Sequence, residues 1–117
     1  YPVALGVNGI GKRKEGDKLT PIGTYPLGAP YESKEFGSFV PVGYPTAAQV
    51  KAGFTGNSVG LHAPHRRDRD RGAANTAGNW TAGCVSVGSD AEAEEIAKFV
   101  RQRRPISVVL ETHRRAP

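Results

Sequence analysis

The chain has a single cysteine, Cys84, among its 117 residues. One cysteine forms no internal disulfide and builds no multi-cysteine zinc site, so both a disulfide scaffold and a zinc module of that kind are excluded. Cys84 is left to be either a small buried hydrophobe or a reactive thiol. No apolar run approaches the roughly 20 residues of a membrane-spanning helix, so no such span is expected. Methionine is absent, even at the first position, where the chain begins Tyr1-Pro2-Val3. We therefore expect a processed or excised domain, with any signal peptide and any partner or fused domain outside this sequence.

What the chain does contain fits one small domain over residues 1–117, since its length leaves no room for two independent cores. Gly (15) and Pro (9) are abundant, and valine outnumbers leucine by 11 to 5. Together these favour short strands joined by turns. The net charge of +5 and pI of about 9.7 suit acidic partners. No nucleic-acid motif or aromatic stacking platform accompanies the charge, so a basic module binding nucleic acid or another anionic polymer is the minor reading.

Strands are expected over 1–7, 21–27, 36–42, 58–63, 82–87 and 106–111. Prolines place the 21–27 strand at an edge or next to a bulge. A short helix is expected over 46–52, with Thr46 as N-cap and Gly53 just past its end. The strongest helix spans 90–104. Ser89 and Glu92 suggest a capping box, and Ala93, Ile96, Ala97 and Val100 fall on one face, with Pro105 as the stop. The stretch from Pro64 to Thr81 is a long polar loop, of a length that is often functional. Its Arg66–Arg71 charge run reads as a solvated loop rather than an anion holder. The His113-Arg114-Arg115 tail reads as a solvated end. The architecture is mainly β, with one well-defined helix after Cys84 and a short second helix.

Chemistry concentrates at Thr81-Ala82-Gly83-Cys84-Val85-Ser86. A free thiol is mostly protonated near neutral pH and needs a base within hydrogen-bond reach. His62, at the end of a strand, can be brought there by the return strand; His65, beyond Pro64, is its rival. Gly83 lets a carbonyl approach the sulfur and exposes backbone N–H groups to a developing oxyanion. Thr81 reads as a hydrogen-bonding support or as a strand start, and Trp80 as a cleft wall or as packing beneath it. The order His then Cys disfavours papain-like peptidases. Sortases share that order, but here the first arginine after Cys84 is Arg101, inside the predicted helix.

His62…Thr81-Ala-Gly-Cys84-Val resembles the active-site signature of the L,D-transpeptidase catalytic domain, or YkuD, family. Upstream, Gly11-Lys12…Gly16-Asp17…Thr20-Pro21-Ile-Gly23-Thr-Tyr25 is similar to a second family segment, and Gly43-Tyr44-Pro45 with Gly60-Leu61-His62 to one branch. The resemblance implies a small β-sandwich or barrel, Cys84 as nucleophile, His62 as base, and Tyr44, Ala82 and Ser86 around the substrate; His65 and Trp80, near the motif residues, join them as substrate-binding candidates. It further implies acyl transfer from peptidoglycan tetrapeptide stems through a thioester, with D-Ala leaving and an amine, a D-amino acid or water accepting. No cofactor or metal is called for, the location is outside the cytoplasmic membrane, and a carbapenem is expected to acylate Cys84. The alternative within the resemblance is a carboxypeptidase or amidase-type hydrolase, including secreted toxins. This chain has Ala82 where many members carry a second histidine, Ala63 where many have glycine, and Ser86 where many have Arg or Asn. The last departure leaves the holder of the acyl donor's carboxylate unassigned.

Overall fold

The computed structural model describes residues 1–105 and 107–111. Seven strands make two sheets. The larger has the order β1-β6-β5-β4-β3, from β1 (Val3–Ala4), β3 (Tyr31–Ser33), β4 (Gly37–Pro41), β5 (Gly60–His62) and β6 (Val85–Val87). The smaller pairs β2 (Gly23–Pro26) with β7 (Ser107–Leu110), antiparallel. All neighbours in the larger sheet are antiparallel except β5 and β6, which run parallel with Leu61 opposite Val85 and His62 opposite Ser86.

Side-chain alternation sorts the two faces of this sheet. Val40, Ala63 and Val87 point to one side, where they pack on Ala93, Ala97 and Val100 of α2 (Asp90–Arg103), with Ile96 half-buried beside them. Phe39 points to the other side and stacks on His62. A second cluster, Tyr25, Val42, Tyr44 and Val59, joins the small sheet to the large one. The apolar stripe read from the sequence is thus the face that α2 buries.

Most expected elements form, with shorter bounds. The first strand shrinks to two residues because Gly6 and Val7 turn away, donating to Thr20 Oγ1 and to the Thr81 carbonyl. The 58–63 strand starts only at Gly60, since Ser58 lies in the left-handed region (φ 56°). The 82–87 strand starts at Val85, after the turn that carries Gly83. The short helix α1 (Ala47–Lys51) has the Thr46 cap and a complete capping box with Gln49. At α2 the box is half-made: Ser89 Oγ accepts from the Glu92 amide, but the Glu92 carboxylate takes the Ser89 hydroxyl instead of a backbone N–H. The helix ends with Arg104 in the left-handed region, because the residue before a proline resists the helical conformation. Strand β3 was not expected. It is an edge strand with one neighbour, and Tyr-Glu-Ser shows no apolar alternation.

The long loop joining parallel β5 and β6 holds two 3₁₀ turns, Arg66–Asp68 and Gly72–Thr76. Most of its charge run is solvated, as the sequence suggests. Arg66 departs from that reading: its guanidinium grips both oxygens of Asp90, tying the loop to the start of α2. Ile106 and the 112–117 tail lie outside the described residues. Among the described residues no helix is long and apolar enough to cross a membrane.

Candidate active site

The turn before β6 is built by Thr81. Its hydroxyl donates to the Cys84 carbonyl (2.7 Å), and its oxygen accepts from the Gly83 amide (3.1 Å). One side chain therefore satisfies two backbone groups inside a four-residue turn, which fixes where Cys84 starts. Gly83 has φ 140°, a region that L side chains rarely adopt, and a Cβ there would lie 2.9 Å from the Leu19 carbonyl oxygen. Glycine is required for backbone reasons as well as for access to the sulfur.

Parallel pairing of β5 with β6 then sets His62 alongside this turn. Both Cys84 and His62 line one cavity of about 360 Å³, with Lys12, Phe36, Ser58, Trp80, Thr81, Ala82 and Gly83 among its walls. A second, smaller cleft of about 260 Å³ reaches Cys84 from the side of Tyr31, Lys34 and Phe39. The sulfur thus stands where two openings meet.

His62 is 3% exposed, within an aromatic box. Its ring lies 4.3 Å from that of Phe36, 5.7 Å from Phe39 and 6.0 Å from Trp80, centroid to centroid. Gly60 admits this arrangement, since a Cβ there would sit 2.3 Å from the Phe39 ring. Nδ1 of His62 donates to the Ala63 carbonyl, which can only accept. That contact assigns the proton to Nδ1 and leaves the lone pair on Nε2. Burial lowers the imidazole pKa to about 4, against a smaller upward pull from the Ala63 carbonyl. The ring is neutral at neutral pH.

Burial pushes the Cys84 thiol up, opposed by the Gly60 amide and by the charge of Lys12. The thiol donates to the Ser58 carbonyl at 3.4 Å. The resting pair is a thiol and a neutral imidazole, not a preformed ion pair.

The other expected residues divide. Trp80 and Ala82 line the Cys84 cavity. Trp80 is 37% exposed and its indole N–H donates to the Asn75 carbonyl, which holds it as a wall. Tyr44 does not line the cavity. It fills the space between the sheets, edge-on to Tyr25, with its hydroxyl donating to the Thr55 carbonyl. Ser86 is fully buried, its hydroxyl donating to the Val87 carbonyl, and lies outside the cavity. His65 caps the first 3₁₀ turn, where its Nδ1 accepts from the Arg67 amide, because Pro64 leads the chain off the strand. The Gly83 amide, expected to face an oxyanion, already donates to Thr81.

Sequence reasoning missed Lys12. Its ammonium is buried at the cavity wall and pairs with Asp17 Oδ1 at 2.9 Å. The Gly-Lys…Gly-Asp segment was the available signal, but only the fold shows that it reaches Cys84. Asp17 holds a turn: Oδ2 accepts from the Arg13 and Lys14 amides and Oδ1 from that of Leu19. Among the described residues no group of three or more His, Cys, Asp or Glu could hold a metal ion.

Comparison with known proteins places this geometry. No curated protein matches the chain. Among solved structures it is similar to the helical cell shape determining protein Pgp2 from Campylobacter jejuni, with 24% identity and a TM-score of 0.67 over 85% of this chain and 33% of that one. It is also similar to Bd1075 from Bdellovibrio bacteriovorus, with 20% identity and a TM-score of 0.62 over 97% of this chain and 38% of that one. These likenesses concern the fold, and the chain spans only about a third of the Pgp2 chain. A family model described as the L,D-transpeptidase catalytic domain (YkuD) matches residues 1–108, nearly the whole chain. The chain therefore belongs to the YkuD family of L,D-transpeptidase catalytic domains.

Proposed function

We propose that this domain is a cysteine acyltransferase acting on the stem peptides of peptidoglycan, outside the cytoplasmic membrane. The observation that supports it best is that Cys84, in the turn before β6, and a neutral, Nδ1-anchored His62, on the adjacent parallel strand β5, line one cavity. Family membership supplies the substrate class.

The cycle follows from the residues. His62 Nε2 takes the Cys84 thiol proton as Sγ attacks the carbonyl of the third stem residue. The Cys84 amide is the candidate oxyanion donor, since that of Gly83 is engaged by Thr81. The C–N bond to the terminal D-amino acid breaks, and its nitrogen leaves with the proton from His62. An acceptor amine or water then attacks the thioester and gives its proton to His62, which passes it to the departing Cys84 thiolate and restores the resting thiol and neutral imidazole. With both groups neutral at rest, the thiol proton passes to His62 in the attacking step itself. The cleft on the Tyr31 side offers the acceptor a second approach to Sγ.

Purified protein incubated with tetrapeptide muropeptides and read by mass spectrometry tests the reading. Loss of D-Ala with a cross-linked or exchanged product is expected for a transferase, and a tripeptide alone for a hydrolase. No product that disappears with Cys84→Ala would overturn the proposal.

A further inference from the structure

We propose that Lys12 is the residue that holds the carboxylate of the substrate, so that a stem peptide is recognised by its free C-terminus. This deepens the reading above and rests on it for the identity of the ligand, but the anion site itself can be tested without peptidoglycan.

The placement is specific. Lys12 is only 6% exposed, and its side chain lines the cavity that holds Cys84. The ammonium lies beside the Gly83–Cys84 step: Nζ would be 3.7 Å from a Cβ at Gly83. Its stem packs over Gly56, where a Cβ would lie 2.9 Å from Lys12 Cε. A lysine ammonium has three hydrogens to donate. Asp17 Oδ1 accepts one at 2.9 Å and the Lys14 carbonyl one at 3.1 Å. Asp17 is itself fixed by three backbone amides, so the ammonium is held in place. One N–H remains for a group entering the cavity.

The other charged residues around the cavity are Glu15 and Lys18, both at its rim. Lys12 is the buried cation among them; Asp17 offsets part of its field, so what it offers an entering anion is its remaining N–H as a short charge-assisted hydrogen bond. The position that many family members fill with Arg or Asn is Ser86 here, sealed in the sheet with its hydroxyl on the Val87 carbonyl. A carboxylate in this cavity therefore has Lys12 to meet. The same charge also eases formation of the Cys84 thiolate, a separate effect that the test must remove.

Iodoacetate and iodoacetamide both alkylate a thiolate by displacing iodide, but only the first is an anion. The ratio of their rates at Cys84, divided by that of free cysteine at the same pH, cancels the thiol pKa and reports the anion site. In the wild type this normalised ratio should exceed one by about tenfold, the effect of one charge-assisted hydrogen bond. Lys12→Met should bring it to about one, and Lys12→Arg should keep most of it. Lys12→Met/Asp17→Asn, which leaves no unpaired carboxylate, should match Lys12→Met; it guards against misfolding, checked by circular dichroism. With a tetrapeptide and its C-terminal amide as substrates, Lys12→Met should lose the preference for the free acid, mainly through KM. A wild-type ratio near one, or equal slowing of both reagents in Lys12→Met, would overturn the proposal. A ratio that falls as expected in a protein with no muropeptide activity would instead sink the substrate assignment and leave the anion site standing.

Discussion

Acidification gives the sharpest test of the site. His62 is enclosed by Phe36, Phe39 and Trp80, and its one polar contact among the described residues satisfies a proton it already carries. Charging the ring adds a proton on Nε2 inside an aromatic box. The pKa falls from 6.5 to about 4, which corresponds to roughly 3 kcal/mol at about 1.36 kcal/mol per unit. The folded state therefore binds fewer protons here than the unfolded chain between those two values. Stability must fall as pH drops through 6.5 and level off below about 4. A loss of that size is a large part of a typical total of about 5–15 kcal/mol. Asp17 also loses stabilisation on acidification, because the Lys14 and Arg13 amides and Lys12 hold its pKa low. Its window begins below the ordinary 3.8, so the two effects separate. Urea unfolding at a series of pH values, for wild type and His62→Gln, isolates the histidine. The stability difference between the two should shrink by roughly 3 kcal/mol from about pH 7 to about pH 4. Histidine NMR should show one ring still neutral at about pH 5.5, where an ordinary histidine is about 90% charged. A His62 resonance titrating near 6.5, or a stability difference independent of pH, would refute the picture of an uncharged, desolvated base.

Two substitutions probe the turn and the box. Thr81→Val keeps the shape but strands the Cys84 carbonyl and the Gly83 amide, so unfolding should cost about 2–4 kcal/mol less, while Thr81→Ser should recover most of that stability. Equal stability of the valine and serine variants in urea would show that the hydroxyl does not build the turn. Gly60→Ala forces a Cβ into the Phe39 ring, so that ring and the His62 stacked on it must move. Stability should fall by about 1–3 kcal/mol and the His62 pKa should rise toward its ordinary value; an unchanged titration would mean that Phe39 does not enforce the burial.

The sequence carried the elements whose logic is local. The α2 stripe of Ala93, Ile96, Ala97 and Val100, its Pro105 stop and the Thr46 cap all appear where residue type and spacing put them. Strand lengths were less legible, because a strand ends where its partner ends. Ser58 and Gly83 turn the backbone in ways their neighbours do not announce. Edge strand β3 carries no signal because it buries little. At the site, Cys84, His62, Thr81 and Gly83 could be read from one motif and one strand end. Tyr44 and Ser86 could not be placed, since a polar side chain beside a motif can point into the sheet as readily as into a cleft.

By itself, then, the sequence determined a small mainly β domain with one strong helix, a lone thiol in a Thr-x-Gly-Cys turn and a candidate histidine upstream. Those follow from composition, periodicity and short motifs, which act within a few residues of each other. The tertiary structure alone decided that β5 and β6 run parallel, which sets His62 opposite Ser86 and in one cavity with Cys84, and that three aromatic rings keep the imidazole neutral. It also decided that Lys12, far away in the chain, shares their cavity. Desolvation and through-space charge depend on which distant segments pack together, and no local pattern encodes that.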